Sequence, residues 1–522
     1  MRNYYKVTIS FPAILWAIGL IMLSYSCTSD FEEINTDKNS VATIGPAELP
    51  FLFTRALAAI VQNNQVTQNL YSDQYAQYFA NTTTYFPTDR YVIDFSWLQG
   101  LWNLQYTTIV PQLQTIFEAT DPDSAEYALA NIWWVYTFHR VTDYWGPIPY
   151  SSAGIPGNSV PYDSQEVVYD DFFKRLDAAV NSLSSKTGEV PFGSFDVMFH
   201  GDANKWIKFA NSLRLRLAVR ISNVDPARAK SEAEAAYNAG VMETSPDDDA
   251  RTERNNLDFN ALSRMSGWNE FRMSASMESA LKGFDDPRIS EYFTPALETG
   301  TYEGLRNGLS TAQVTEPENK INANSRTGPR WAAPAFGGIP EYLSTPDIVM
   351  SAAESYFLRA EGALLGWNMG GTAKDLYNEG ITQSMNQWGV TDSGVVDAYI
   401  NSANTPIAPE DYLDSPALSM VPVKFDEVDE AVQKEQIDIQ KWIALFPDGW
   451  EAWSSNRKNR YLKLYPVANS DNPDITDPGT QYIRRVPFLI SEYETNAGEM
   501  DQAIQFLNGP DKITTPLWWD KN

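Results

Sequence analysis

The 522-residue chain is 43% apolar and 13% aromatic, so it can bury a large hydrophobic core. Its formal net charge of −28 argues against a nucleic-acid partner, because phosphate binding needs a basic surface. Two histidines and one cysteine leave almost no material for a zinc site, a thiol nucleophile or a histidine-based catalytic triad.

The first predicted element is an export signal. A basic start precedes an apolar run over residues 7–23, and small residues lead from that run to Cys27, the single cysteine. This order is typical of a secretory signal peptide. An uncleaved anchor helix is the alternative, but the run is short and Pro12 interrupts it. Residues 1–26 are therefore predicted to be a signal peptide, and residues 27–40 to be a polar tether.

Hydrophobic periodicity predicts helices through most of the remaining chain, beginning near Ala47. Asp123 with Glu126, and Asp163 with Glu166, have the spacing of capping boxes at the starts of two helices. Each helix has only one apolar face, which favours tetratricopeptide-like stacking of helix pairs. The predicted helices are 125–141, 165–183, 204–221, one from Pro226 to the terminating Gly240, one that begins at Thr345, and its partner capped by Thr372.

Two segments lack helical periodicity and are predicted to be loops. Residues 81–91 are rich in hydroxyl groups and rings, and residues 242–344 are rich in Asp, Asn, Gly, Pro and Ser, with one short helix at 273–281 and a small β-hairpin. Rings outside a helical stripe that gather into one exposed patch favour ligand binding, although filling of a local loop core is the alternative. The candidate ligand-binding residues are Tyr85, Trp97, Trp268, Tyr302 and Trp331.

The last predicted element is a helical hairpin over residues 432–462. Pro447 and the Asp-Gly that follows it end the first helix. In the second helix Trp450, Trp453 and Arg457 recur at one-turn spacing, which allows the guanidinium to stack on a ring. The apolar stripe of the first helix is predicted to pack into the core: Ile439, Trp442, Ile443 and Phe446.

The residues of this hairpin, QKWIALF, GWEAW and Arg457, resemble the C-terminal motif of the SusD/RagB family of nutrient-binding outer-membrane lipoproteins of Bacteroidota. Residues 143–150, 285–289 and 353–363 resemble further motifs of that family. The resemblance implies a mostly α-helical, SusD-like fold, with tetratricopeptide-like helix pairs as a spine, long ligand-binding loops and minor β structure. A single domain over residues 41–522 is expected.

The N-terminal signal fits the same family. Cys27 resembles the acylated cysteine of a lipobox, although Ser24 stands where a leucine is expected, and acidic residues behind Cys27 resemble a surface-export signal. Acyl chains contribute about 0.8 kcal/mol per buried CH₂, enough for stable anchoring. The resemblance therefore implies a lipid-anchored outer-membrane protein exposed at the cell surface.

The resemblance implies a binding protein that delivers an oligosaccharide or another nutrient to a SusC-like TonB-dependent barrel, with no catalytic residues, cofactor or metal. No G-x-S-x-G, H-E-x-x-H, G-x-G-x-x-G or P-loop pattern occurs. Two alternatives stay open: an exported glycoside hydrolase, which needs two carboxylates facing one bond, and a structural surface protein or adhesin. His139 and His200 are predicted to be packing or surface residues, and the oxygen-rich turn at 471–477 to be solvated rather than calcium-bound.

Overall fold

The computed structural model describes residues 44–61, 65–157, 159–332 and 341–521. The predictions for the signal peptide, the acylated cysteine and the tether lie outside these ranges. A compact body begins at Leu49. Within the described ranges, no helix is both long and apolar enough to cross a bilayer.

Helices dominate the described chain and strands are few and short, in agreement with the predicted mostly α-helical class. The helices are α1 (Leu49–Val61), α2 (Ser72–Tyr75), α3 (Phe95–Asn103), α4 (Val110–Ala119), α5 (Ala125–Trp145), α6 (Gln165–Ser184), α7 (Ala203–Arg220), α8 (Pro226–Ala239), α9 (Ala261–Ser266), α10 (Ala275–Gly283), α11 (Ile289–Tyr292), α12 (Ala352–Leu364), α13 (Ala373–Gln387), α14 (Ser393–Ile400), α15 (Glu430–Ala444), α16 (Gly449–Asn459), α17 (Ile490–Thr495) and α18 (Ala497–Gln505). The strands are β1 (Phe79–Asn81), β2 (Ala250–Thr252), β3 (Phe271–Met273), β4 (Phe293–Thr294), β5 (Arg326–Thr327) and β6 (Asp347–Met350).

Consecutive helices pack as pairs, as the one-sided apolar stripes predicted. Helix α5 packs on α6, α7 on α8, and α12 on α13. Because α6 also contacts α7, and α7 also contacts α12, the three pairs form a continuous spine. The tryptophans of the predicted stripes lie in one apolar core: Trp134, Trp206 and Trp442.

The caps of two spine helices differ from the predicted ones by one residue. The Ser124 hydroxyl, rather than the Asp123 carboxylate, caps α5 by accepting the Tyr127 N–H at 3.1 Å. Ser164 replaces Asp163 in the same way at the start of α6. Serine and aspartate are comparable caps, so neighbouring candidates cannot be ranked from sequence. The predicted cap of α13, Thr372, is confirmed by its bond from the Asp375 N–H.

The helix predicted to begin at Thr345 begins later. Residues Asp347–Met350 form β6, which pairs with β2, and Ser351 caps α12. The β-branched residues Ile348 and Val349 favour this short strand. The prediction of a helix start at Thr345 is therefore wrong, because a partner strand distant in sequence is available.

Buried charged side chains join the spine to the C-terminal hairpin. Arg216 of α7 donates to both carboxylate oxygens of Glu354 of α12, at 2.6 Å each, and lies 3.7 Å from Glu451 of α16. Arg220, one turn further along α7, pairs with Glu451 and, at 2.9 Å, with Asp143 of α5. All five side chains are at most 4% exposed. Since an unpaired buried charge is costly, these pairs constrain how four helices pack.

The hairpin is formed by α15 and α16, as predicted, and the Arg457 guanidinium lies 3.5 Å from the centre of the Trp453 ring. Arg140 of α5 holds Asp448, the cap of α16, with two hydrogen bonds at 3.0 and 3.2 Å. A Cβ atom at Gly449 would lie 2.5 Å from the Cα atom of Asp73, so only glycine lets α16 approach α2 this closely.

We expect Arg216→Leu to lower the free energy of unfolding by roughly 3–5 kcal/mol, because Glu354 would remain buried without its principal counter-charge. Urea denaturation followed by circular dichroism measures this loss. The matched control is Lys374→Ala, which removes the surface pair with Glu427 and is expected to cost about 0–1 kcal/mol. Equal losses in the two variants would show that the buried pairs do not constrain the fold.

Candidate ligand-binding surface

The register of β1 and β3 brings two loops together. Asn81 pairs with Phe271, so the loop that follows β1 and the loop that precedes β3 leave the same end of the ladder. Thr82 continues the pairing: its N–H donates to the Glu270 carbonyl at 3.1 Å and its hydroxyl donates to the Asn269 carbonyl at 2.9 Å. Two predicted loops that are distant in sequence therefore form one surface.

Two predicted binding residues are exposed on this surface. The Tyr85 side chain is 62% exposed and Trp268 is 46% exposed. The Tyr85 hydroxyl donates to Glu270 Oε1 at 2.8 Å, and this bond raises the pKa of Tyr85. The Arg264 guanidinium lies 6.0 Å from the centre of the Trp268 ring. The other oxygen of the Glu270 carboxylate accepts from the Gln65 side chain. A carboxylate beside an exposed ring is a combination that can meet both the apolar face and the polar groups of a sugar.

Trp97 extends this surface. It lies in the first turn of α3, whose cap Asp94 accepts its backbone N–H at 3.3 Å. Its half-buried ring is 5.6 Å from that of Phe86, which in turn is 4.6 Å from Tyr85. We call Tyr85, Trp97, Trp268 and Glu270 the aromatic edge.

The other two predicted residues lie elsewhere. Trp331 is 2% exposed and its ring packs against Trp388 at 5.6 Å and Phe446 at 5.7 Å. It does not fit the expectation of an exposed platform, because the hairpin and α13 cover the ring. Tyr302 is half-buried against the core, and no ring contact within the described residues joins it to the aromatic edge.

Sequence reasoning missed Glu270 and the arginine that shapes its loop. Arg272 of β3 donates to the Ile321 carbonyl at 2.8 Å and to the Asn269 side chain at 2.9 Å. These bonds fix the turn that presents Glu270 to Tyr85. Only the pairing of β1 with β3 reveals this role, since one acidic residue in an acidic chain carries no sequence signal.

The predictions for the histidines and the acidic turn concern positions away from this edge. His139 is buried beside Arg216, and burial holds its pKa well below the usual value; His200 is exposed beside Glu253. Both positions agree with packing and surface roles. In the 471–477 turn the carboxylates pair with Arg90 and Lys512 or cap their own turn. Within the described ranges, no cluster of three His, Cys, Asp or Glu side chains could hold a metal.

A buried carboxyl group, that of Asp89, holds the loop of residues 81–91 against the chain at Gly308. Asp89 lies in the turn Thr88–Arg90 and accepts the Gly308 N–H at 3.2 Å. Gly308 has a φ of +79°, and a Cβ atom there would lie 2.7 Å from Val467, so this approach requires glycine. Burial raises the pKa of Asp89 to about 7, despite the neighbouring Arg90.

Comparison with known proteins identifies a family that the chain matches. The chain matches the model for SusD-like proteins, described as SusD and RagB outer-membrane lipoproteins, over residues 30–520. It is similar to a chitin-binding SusD homologue from Flavobacterium johnsoniae, with 35% identity and a TM-score of 0.82 over 91% of this chain and 99% of that chain. A SusD homologue from Bacteroides uniformis is 32% identical, with a TM-score of 0.82 and the same coverage. A further chitin-binding protein is 29% identical, with a TM-score of 0.74 over 91% of this chain and 100% of that chain. Among curated proteins, none matches.

The raised pKa of Asp89 predicts a pH dependence of stability. Between about pH 4 and 7 the unfolded carboxyl group ionises while the folded one stays protonated, so the free energy of unfolding falls as the pH rises. We expect Asp89→Asn to remove this part of the pH dependence of the free energy of unfolding. Above pH 7 the curves of unfolding free energy against pH should be parallel for the two proteins. Urea denaturation from pH 4.5 to 8 (about one point per half unit) measures the difference. Identical slopes in both proteins would contradict it.

Proposed function

The chain belongs to the SusD-like family of outer-membrane lipoproteins, and from this membership we propose that it binds a chitin-derived oligosaccharide and passes it to a SusC-like TonB-dependent barrel. The choice of ligand is supported by two similar proteins that are themselves described as chitin-binding. Binding without turnover is the proposed activity, and no cofactor takes part.

The observation that carries the proposal is the aromatic edge. A pyranose ring has an apolar C–H face, which stacks on exposed rings such as Trp268 and Tyr85. The N-acetyl group of chitin adds an amide N–H donor, for which the Glu270 carboxylate beside Tyr85 is a matching acceptor. An N-acetylglucosamine unit could therefore stack its C–H face on the rings and donate its amide N–H to the carboxylate.

The half-buried residues play different parts in this proposal. Trp97 packs against Phe86, which packs against Tyr85, and Trp97 presents only part of its ring to a ligand. Tyr302 stays a predicted contact apart from the aromatic edge, since no ring contact among the described residues joins it to that edge. Trp331 is left out, since its ring is buried.

The proposed transfer step follows from the anchor and the family. Cys27, acylated after removal of the signal peptide, would hold the protein at the outer membrane, on the cell surface. A SusC-like barrel is the proposed partner, because it would supply the path across the membrane that a binding protein does not itself provide.

We expect Trp268→Ala and Tyr85→Ala each to weaken binding of an N-acetylglucosamine oligosaccharide about tenfold. A stacked ring that covers about 50 Å² of ligand contributes ~1.2 kcal/mol at ~25 cal/mol per Å². Isothermal titration measures the affinity, and recovery of intact ligand from the same samples checks the absence of turnover. Tyr85→Phe keeps the ring but loses the bond to Glu270, so it separates stacking from hydrogen bonding.

The matched control is Phe51→Ala, which removes an exposed ring of α1 that contacts Phe195 rather than the aromatic edge. It is expected to bind the oligosaccharide like the parent protein. Normal binding by both edge variants would place the ligand elsewhere. Shortened products would instead support the glycoside hydrolase.

We expect Cys27→Ala to move the protein from the outer-membrane fraction to the soluble fraction, because the acylated thiol is the proposed anchor. Fractionation of cells that lack the partner barrel measures this directly. In the parent strain, immunoprecipitation of the wild-type protein should also recover a TonB-dependent barrel. A variant that remains membrane-bound without the barrel would refute the lipid anchor.

A further inference from the structure

A pocket lies between the C-terminal end of α16 and the chain from Leu462 to Ile483. It encloses about 80 Å³, room for several waters or one small polar group. Tyrosine and tryptophan rings form much of its wall. Two arginines, Arg457 and Arg460, line it, and none of the lining residues is acidic. In a chain with a net charge of −28, this local excess of positive charge is unusual.

Arg460 is the half-buried cation of this pocket. Its guanidinium stacks on Tyr482 at 3.3 Å from the ring centre and, among the described residues, makes no hydrogen bond or ion pair. Its five N–H donors form a planar fork that matches the two oxygens of a carboxylate. Stacking fixes the plane of the fork before any ligand arrives, which lowers the entropy cost of binding.

The surrounding charges leave the pocket positive. The buried Arg457 donates to the backbone carbonyls of Arg484 and Asp143, at 2.6 and 2.8 Å, and stacks on Trp453. Burial lowers its pKa to about 10, so it still carries its charge at neutral pH. Behind the pocket Arg484 is paired with Asp520 at 2.7 Å, so that carboxylate is already engaged.

Two further observations point to a ligand. The hydroxyl of Tyr75, a buried residue that lines the pocket, has no hydrogen-bond partner among the described residues. Arg460 also has a φ of +54° at the C-terminal end of α16. This left-handed conformation is unfavourable for a residue other than glycine, so the helix end alone does not favour arginine there.

We propose that this pocket binds the carboxylate of an acidic sugar, with Arg460 as its principal contact. The carboxylate would occupy the pocket and the pyranose ring would lie at its opening. There the Oδ1 of Asn456 and the Nε2 of Gln481, the amide atoms not used in the bonds to Leu462, Thr476 and Asp477, are available to the sugar hydroxyls. The site is separate from the aromatic edge and does not depend on the ligand assigned to that edge. It would let the protein distinguish glycans that carry uronate units from neutral ones.

The test is a ligand-detected NMR titration with D-glucuronate, D-glucose and acetate. Glucuronate is expected to bind the wild-type protein. Glucose and acetate are expected to bind at least about tenfold more weakly. The Arg460→Lys variant is expected to retain part of the glucuronate affinity. Arg460→Gly should abolish binding without unfolding the protein, because glycine relieves the left-handed conformation; an unchanged or raised melting temperature verifies this.

Three results would overturn the proposal. Glucuronate that does not bind the wild-type protein, or that binds Arg460→Gly equally well, would exclude the site. Acetate that binds as tightly as glucuronate would exclude a role for the sugar ring. The Trp268→Ala variant of the aromatic edge should bind glucuronate normally, so failure of the chitin proposal and failure of this one are distinguishable.

Discussion

The arrangement of this protein depends on pairing charges inside a helical core. Four cations and four anions meet where α5, α7, α12 and α16 come together, and each would be costly to leave there alone. Apolar side chains tolerate small shifts of packing, whereas an ion pair is lost when its atoms separate by a few ångströms. The network therefore specifies which helices meet and in what register. Its members are Arg140, Arg216, Arg220, Arg457, Asp143, Glu354, Asp448 and Glu451.

This constraint reaches the candidate ligand-binding surface through a short path. The fixed hairpin carries Trp442, whose indole N–H donates to the Ala76 carbonyl at 2.8 Å, and whose own carbonyl accepts the Tyr78 hydroxyl. Strand β1 begins at the next residue, Phe79, and β1 positions β3. The loops that carry Tyr85 and Trp268 leave from these strands. A site made of loops is thus held by a rigid helical scaffold.

The sequence was informative where the fold is local and uninformative where it depends on distant partners. The apolar stripes of the spine and the stack of Arg457 on Trp453 follow from helical spacing and were predicted. Trp268 and Trp331 occur in loops of similar composition, yet one is exposed and the other lies under the hairpin. Only tertiary packing separates them. For the same reason Glu270 and the strand at residues 347–350 could not be recognised without their partners in the chain.

The hydrogen bond between Tyr85 and Glu270 has a consequence for the kinetics of ligand exchange. It joins two loops before any ligand is present, so association does not have to freeze loops that were previously free. Encounter can then proceed without a slow ordering step, and the lifetime of the complex depends on how much sugar surface the rings cover. Exchange at the proposed site would then require no rearrangement of the two loops that carry Tyr85 and Glu270.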